Sequence, residues 1–452
     1  SSTPAIACGA FTGAGIFVLP GTAAARYAGP AIMLSFMLAG IACVSVGLCY
    51  AELSALIPVS GSAYTYTYAT LGELAAWIIG WDLVLEYAMG AATVAVGWSG
   101  YLVSLLAQFG LYLPVELTQS PGAVMLADGS VVQAVFNLPA ALIVLLLTFM
   151  LVLGTRESTR VNNLMVIVKL VVVLAFIGFG VGYVNQANWV PFVPANTGEF
   201  GHFGWSGVLR GASVVFFAFI GFDAVSTAAQ EARNPQRDMP RGILGSLAIS
   251  TLLYVAVAAV MTGLVAYDQL NVPDPIALAV DVLQQPWLSL LVKIGALTGL
   301  TTVILVLLYG QSRILFTISR DGLLPSFFGT VHPTYGTPYR SQLLVGTLVA
   351  VVAGLVPIHT LGEMVSIGTL FAFVLVCGAV LYLRRSDADM ARPFRVPGVP
   401  VIPLLGIAAC LLLMSGLPLD TWLRLLVWLA IGVAVYMVYG RHHSKHRVRA
   451  GR

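Results

Sequence analysis

Cys8-Gly-Ala-Phe-Thr-Gly-Ala-Gly-Ile-Phe17 places glycine at positions 9, 13 and 15 of an otherwise apolar run. Phe216-Phe-Ala-Phe-Ile-Gly-Phe-Asp223 sets a glycine between aromatic rings, with an acid close behind. Each interruption falls inside a run long enough to cross a bilayer, whose hydrocarbon core of about 30 Å takes roughly 20 helical residues. Glycine-broken helices in corresponding positions of two halves of a chain point to a transporter's substrate site. Close packing is the competing use of membrane glycines, and Gly90 to Gly97 illustrate it. The matched placement favours the site.

The whole composition agrees with a membrane chain. Of 452 residues, 59% are hydrophobic and only 9% charged, too few charges to cover a soluble surface of this size. Apolar runs predict twelve helices: 4–27, 29–56, 73–111, 138–153, 162–184, 205–229, 242–267, 288–319, 341–357, 362–383, 401–416 and 420–439. No alternating strands are expected, which excludes a β-barrel. The two interrupted helices are the first and the sixth. An offset of five reverses orientation, so helices 1–5 and 6–10 are expected to be inverted repeats.

Charge orients the bundle. With the N-terminus in the cytoplasm, 17 of the 22 basic residues fall in the inner loops, the adjoining helix ends and the tail. Arg26, Lys169, Arg210, Lys293 and Arg424 are the exceptions. The positive-inside rule therefore predicts a multi-pass protein of the plasma (inner) membrane with both termini cytoplasmic. The basic tail from Arg441 reads as a topological signal, with contact to anionic lipid as the alternative. Cys8, Cys43, Cys49, Cys377 and Cys410 lie within predicted helices without metal-ligand spacing and read as small apolar residues. Because the chain starts without Met almost at its first apolar run, an N-terminal tail is expected to be missing. Expected units are residues 1–400 as the transport core, 401–440 as two additional helices and 441–452 as a basic tail. Within the core, repeat one spans 1–190 and repeat two 200–385.

The backbone of a broken helix suggests a ligand. An unwound turn frees amides and carbonyls that lipid cannot satisfy. Amides at a half-helix start suit a carboxylate, and free carbonyls suit an ammonium. A molecule with both groups close together is an α-amino acid. Phe11 and Phe217 are candidates to close over it, with plain packing as the alternative.

Four stretches now carry a resemblance: the helix 1 segment; Tyr50-Ala-Glu-Leu-Ser-Ala-Leu-Ile-Pro-Val-Ser-Gly-Ser-Ala-Tyr-Thr-Tyr66; Gly80-Trp-Asp-Leu-Val-Leu-Glu-Tyr87; and Phe216 through Glu231-Ala-Arg-Asn-Pro-Gln-Arg-Asp-Met-Pro240. They resemble the amino acid–polyamine–organocation (APC) superfamily, and within it the bacterial cationic amino acid transporter-like branch. The resemblance implies an all-α integral membrane protein with the leucine-transporter (LeuT) fold: a five-plus-five inverted repeat plus two helices, twelve in all. It implies that helix 1 amides of Thr12, Gly13, Ala14 and Gly15 meet the substrate carboxylate. Helix 6 carbonyls of Phe217, Ala218 and Ile220 would meet its amino group, with the Phe217 ring in the outer gate. Relatives often read Ile-Gly-Thr-Gly or Ile-Gly-Ser-Gly where this chain has Thr12-Gly-Ala-Gly15, so one hydroxyl contact is lost unless Thr12 replaces it.

Charges within the membrane are costly and mark candidate sites. Lys169, about 10 Å along helix 5 at 1.5 Å per residue, has no counter-ion among its sequence neighbours. Snorkelling to the interface is one reading. The resemblance implies the other, in which this lysine carries the coupling proton and approaches helix 1 carbonyls and a helix 8 hydroxyl, Thr301 or Thr302. Asp82 and Glu86 share a face of helix 3. Glu86 is expected either to line the side-chain pocket or to be a protonated packing acid. Asp223 is expected to hold released backbone amides, a structural role. Glu52 and the run Glu231 to Arg241 are expected to form cytoplasmic salt bridges of the weak surface kind.

The expected function is a secondary active transporter of L-amino acids, coupled to H+ in symport by alternating access. An exchanger of amino acids or polyamines in the same fold is the alternative. An intramembrane enzyme or a channel is remote, because all six histidines are placed in loops or the tail and no pore ring is visible. No catalytic residue, metal, cofactor or nucleic acid is expected. The partners are the substrate and the bilayer, while the specific amino acid, a small subunit and the oligomeric state are not legible.

Overall fold

A computed structural model describes residues 15–56, 63–125, 129–154, 159–220, 235–386 and 391–444. Its main helices follow the apolar runs. They are α1 (Gly15–Ala23), α2 (Ile32–Leu56), α3 (Glu73–Gln108), α4 (Leu138–Val152), α5 (Thr159–Gly180), α6 (Gly204–Val215), α7 (Pro235–Leu264), α8 (Pro286–Arg320), α9 (Tyr339–Leu355), α10 (Ile358–Ser386), α11 (Val401–Ser415) and α12 (Leu419–Val435). Among the described residues, six helical runs are long and apolar enough to cross a membrane: Gly15–Leu56, Glu73–Gln108, Pro240–Leu264, Pro286–Arg320, Ile358–Ser386 and Leu419–His443. Five shorter apolar helices accompany them. The protein is a predominantly helical, multi-pass membrane protein.

The corner between α1 and α2 is made without a loop. A π-helical turn (Ala24–Ala28) leads into a 3-10 turn (Gly29–Ala31). Gly29 takes φ +62°, and Pro194 packs against the position its side chain would fill. Left-handed backbone and close approach both demand glycine there, and Pro30 suits the start of the next helix.

Two short helices and a hairpin between the spans were not foreseen. Short helices at Ala63–Thr70 and Pro275–Asp281 sit in connections. A hairpin pairs Gly122–Met125 antiparallel with Val131–Ala134, Gly122 opposite Ala134 and Met125 opposite Val131. Four residues per strand give too few alternations to stand out beside helical runs.

Helix α3 is the central post, packed against both α8 and α10, while α2 packs on α6 and α7, and α4 on α9. A tryptophan stack fastens α12 to α3. Trp81 and Trp428 lie 4.6 Å apart at 19°, and each indole N–H donates to the other's carbonyl, at 2.8 and 2.9 Å. Trp77 donates to Gly432 O at 2.8 Å. Burying indoles with their N–H groups bonded satisfies both ends of the side chain.

Candidate functional site

The break in α6 is visible in its backbone. The α-helix stops at Val215 and tightens into a 3-10 turn over Phe216–Phe219, with Ile220 leaving in extended conformation. This turn meets α1 directly. A β-carbon built on Gly15 would lie 1.9 Å from Cα of Ala218 and 2.7 Å from its nitrogen. The hydrogen of Gly15 therefore faces the backbone of the sixth helix. The two glycine-marked regions are adjacent, as expected of halves of one site.

Of the expected ligands, Phe11, Thr12, Gly13, Ala14 and Asp223 lie outside the described residues. Among those described, Phe217 O accepts the Ile220 amide at 3.1 Å, and Ala218 O accepts the Tyr254 hydroxyl at 2.7 Å. Each carbonyl has a second lone pair for another donor. The Phe217 ring is buried, and its Cε2 stands 3.9 Å from a β-carbon built on Gly90, beside Leu307. Gly90 thus belongs to the wall near Phe217, beyond the plain packing role it was read to have.

Lys169 is only 3% exposed, so it does not snorkel to the surface of the bundle. Its stem runs along Gly299 of α8: built there, a β-carbon would come 3.0 Å from Lys169 Cε and 3.1 Å from Cγ. Val172 packs in the same way on Gly295. Two glycines one turn apart make the groove that admits α5. Of the two candidate hydroxyls, Thr301 Oγ1 takes the Trp98 indole N–H at 3.0 Å and so turns toward α3. Thr302, one turn on from Gly299, donates to Gly299 O at 2.7 Å and keeps its lone pairs.

Asp82 and Glu86 share one face of α3, as their spacing requires, and both are buried, at 0% and 2% exposure. They face Gly368 of α10, whose built β-carbon would lie 3.3 Å from Asp82 Oδ1 and 3.9 Å from Glu86 Cβ. Gln311 of α8 donates to Val84 O at 3.0 Å in the same interface.

Ionic ties close both ends of α10. At the end assigned by charge to the cytoplasm, Arg384 grips Glu52 of α2 with two hydrogen bonds of 2.9 and 2.8 Å. The Val396 amide donates to the same carboxylate at 2.6 Å, and Arg392 approaches at 3.5 Å. Glu52 is 2% exposed. This corrects the weak surface pair expected of it, because a bidentate, buried pair is the strong kind. Only Arg241 of the run Glu231 to Arg241 has a described charged side chain, and it is exposed.

At the other end Glu363 of α10, 3% exposed, accepts from Tyr27 at 3.2 Å, Arg210 at 3.4 Å and Thr421 at 3.0 Å. Arg210 also lies over the Tyr27 ring at 4.5 Å. Arg26, Arg424 and the partly buried His359 complete the charged surroundings. His359 is in the first turn of α10, and His442 and His443 form a short terminal helix, so not every histidine is in a loop or tail. Sequence reading missed Glu363. One signal was available: Arg26 and Arg210 were the exceptions to the inner-side charge bias, and unbalanced arginines near helix ends call for a carboxylate.

The family model for amino acid permeases matches residues 1–440. The chain belongs to that family. It is similar to the methylthioribose transporter of Bacillus subtilis, 48% identical over 96% of this chain and 91% of that protein. It is also similar to the branched-chain amino acid permease BcaP of the same organism, 50% identical over 97% and 91%. The chloroplastic cationic amino acid transporter 9 of Arabidopsis thaliana is 36% identical over 96% and 86%. This permease is a transporter within the APC superfamily, not an enzyme.

Proposed function

We propose that this permease is a secondary active transporter of L-amino acids, driven by protons and working by alternating access in the plasma membrane. Its core is a LeuT-like inverted repeat of α1–α5 (residues 1–190) and α6–α10 (200–385), with α11 and α12 added and both termini cytoplasmic. The observation that supports the reading is the contact of Gly15 with Ala218 in the 3-10 turn that ends α6, together with a buried lysine on α5. Backbone groups there suit the charges on an α-carbon and leave the side chain to α3 and α8. Two of these relatives are named for branched-chain and cationic amino acids, which share only their α-carbon groups and fit such a division, whereas methylthioribose, named for the third, lacks those groups.

Lys169 is the proposed coupling group. Protonated, it requires acceptors, a role proposed for Thr302 and α1 carbonyls. Neutral, it loses charge-assisted bonds worth roughly 1.5–3 kcal/mol each. A differential of that size shifts a conformational equilibrium by about tenfold or more. Lys169→Ala in proteoliposomes, under an imposed pH gradient and at matched protein levels, is expected to abolish uphill accumulation while substrate still binds. Lys169→Arg is expected to fail too, because a guanidinium stays charged. Accumulation by the alanine variant equal to the parent's would place coupling elsewhere. Exchange without accumulation in the parent itself would favour the exchanger.

A further inference from the structure

Asp82 has no role in the site described so far, yet it is a buried acid that is poorly accommodated among the described residues. Its side chain is 0% exposed, and neither carboxylate oxygen has a hydrogen-bond partner among the described residues. No charged side chain among those residues stands close enough to balance it. The groups around it are accounted for helix by helix. On α3, Glu86 is the next acid along the same face; α10 presents Gly368, which has no side chain; α8 presents the neutral Gln311. Tyr64 and Asp321 bond to each other nearer the cytoplasmic end.

An isolated carboxylate in such a place is not kept ionised. Without a partner it takes up a proton and is neutral. The position also explains how the proton would leave. Asp82 lies nine residues into α3, about 13 Å from its first residue at 1.5 Å per residue. Only the bare backbone of Gly368 covers it on the side of α10. A small withdrawal of α10 from α3 opens that face to water without moving any side chain aside, and hydration stabilises the anion.

We propose that Asp82 is a proton-binding site of the transport cycle. It holds a proton while α3, α8 and α10 are packed together and gives it to water when α10 moves away. No bond other than O–H is made or broken, and the proton passes between the carboxyl group and water. The proposal rests on the proton-driven reading above and adds to Lys169 a second titrating group on a different pair of helices.

The test pairs transport with spectroscopy. Asp82→Asn keeps the shape of a neutral acid but cannot release a proton. In proteoliposomes its accumulation of substrate under a pH gradient is expected to fall to parity with the outside, while counterflow, which needs no net proton movement, continues. Infrared spectra of the reconstituted parent at neutral pH are expected to contain a protonated-carboxyl C=O stretch that shifts in D2O. That band is expected to be absent from Asp82→Asn and present in Glu86→Gln. Should the asparagine variant fail to fold, Asp82→Ser provides the same neutral comparison. Parent-like accumulation together with an unchanged infrared band in the variant overturns the proposal. If the parent itself does not accumulate substrate, the transport reading fails on its own, and the infrared band still decides whether Asp82 holds a proton.

Discussion

Removing the Glu363 carboxylate tests whether the cluster at the first turns of α10 is a closing tie or an incidental contact. Glu363→Ala deletes acceptors for Tyr27 (3.2 Å), Arg210 (3.4 Å) and Thr421 (3.0 Å) in one step. The pair is well enclosed, with side-chain exposures of 14% for Arg210 and 4% for Glu363, so solvent screens it little. Hydrogen bonds to a charged group contribute about 1.5–3 kcal/mol, and the longer contacts here sit at the low end of that range. Stranding a buried arginine costs about 3–5 kcal/mol. Arg210 recovers part of this, about 0.5–2 kcal/mol, from the Tyr27 ring beneath it. The expected destabilisation is therefore about 3 kcal/mol.

Equilibrium unfolding in mixed detergent–SDS micelles measures the sum, and a double-mutant cycle isolates one bond. Tyr27→Phe combined with Glu363→Ala is expected to show a coupling of about 1–2 kcal/mol. Glu363→Gln keeps acceptors for the two hydroxyls and is expected to lose less than alanine does. Because the cluster joins four helices, its loss is also expected to speed hydrogen–deuterium exchange at the amides of Gly204–Val215. Additive single mutants, with exchange in α6 unchanged, would refute the idea that this cluster holds the end shut.

Gly15→Val is expected to abolish substrate binding without preventing membrane insertion. The reason is now specific: its β-carbon cannot coexist with Ala218, 1.9 Å away, so the two breaks are driven apart; retained binding in a scintillation proximity assay would contradict this. Asp274, in the connection before Pro275–Asp281, is pushed up to about 6, chiefly by burial. A raised acid pKa means the folded chain holds a proton that the unfolded chain has lost, so stability is expected to fall as pH rises from about 4 to 6 and then level. Asp274→Asn should remove that slope from thermal unfolding curves across this range, and an identical slope in the variant would assign it to other groups.

The spans were legible because lipid imposes one strong rule: every backbone group is satisfied within a helix, and about 20 apolar residues are needed to cross. That rule says nothing about pieces that avoid the hydrocarbon, which is why the hairpin at Gly122–Ala134 and the helix Pro275–Asp281 escaped notice. The interruption at the end of α6 was legible because glycine is costly in a helix without a reason. What decides its chemistry is less visible. That Ala218 O is already engaged by Tyr254, 36 positions on, follows from how α7 packs, and no local pattern carries it. Glu52 illustrates the same limit. Its charge and position near a helix end suggested a surface pair, whereas burial and the bidentate grip of Arg384 depend on residues some 330 positions away. Thr301 and Thr302 were indistinguishable as neighbours in sequence, and a rotation of about 100° per residue around α8 separates their partners.

Helix α10 gathers these observations into one mechanical constraint. Its first turns hold Glu363, tied to the π-helical turn after α1 through Tyr27, to α6 through Arg210 and to α12 through Thr421. Its last turn holds Arg384, tied to α2 through Glu52. Between them Gly368 rests on Asp82 with no side chain of its own. A helix fixed at both ends by buried charge does not slide by small degrees; it must release one end to tilt. The two ends differ in kind. The Glu52 pair is short and bidentate, whereas every contact of Glu363 is 3.0 Å or longer. Shorter, doubly bonded pairs are the stronger, so the Glu363 end is the one that yields first. Tilting about the Arg384 end would lift Gly368 away from Asp82 in the same motion, which joins the opening of that end to exposure of the buried acid.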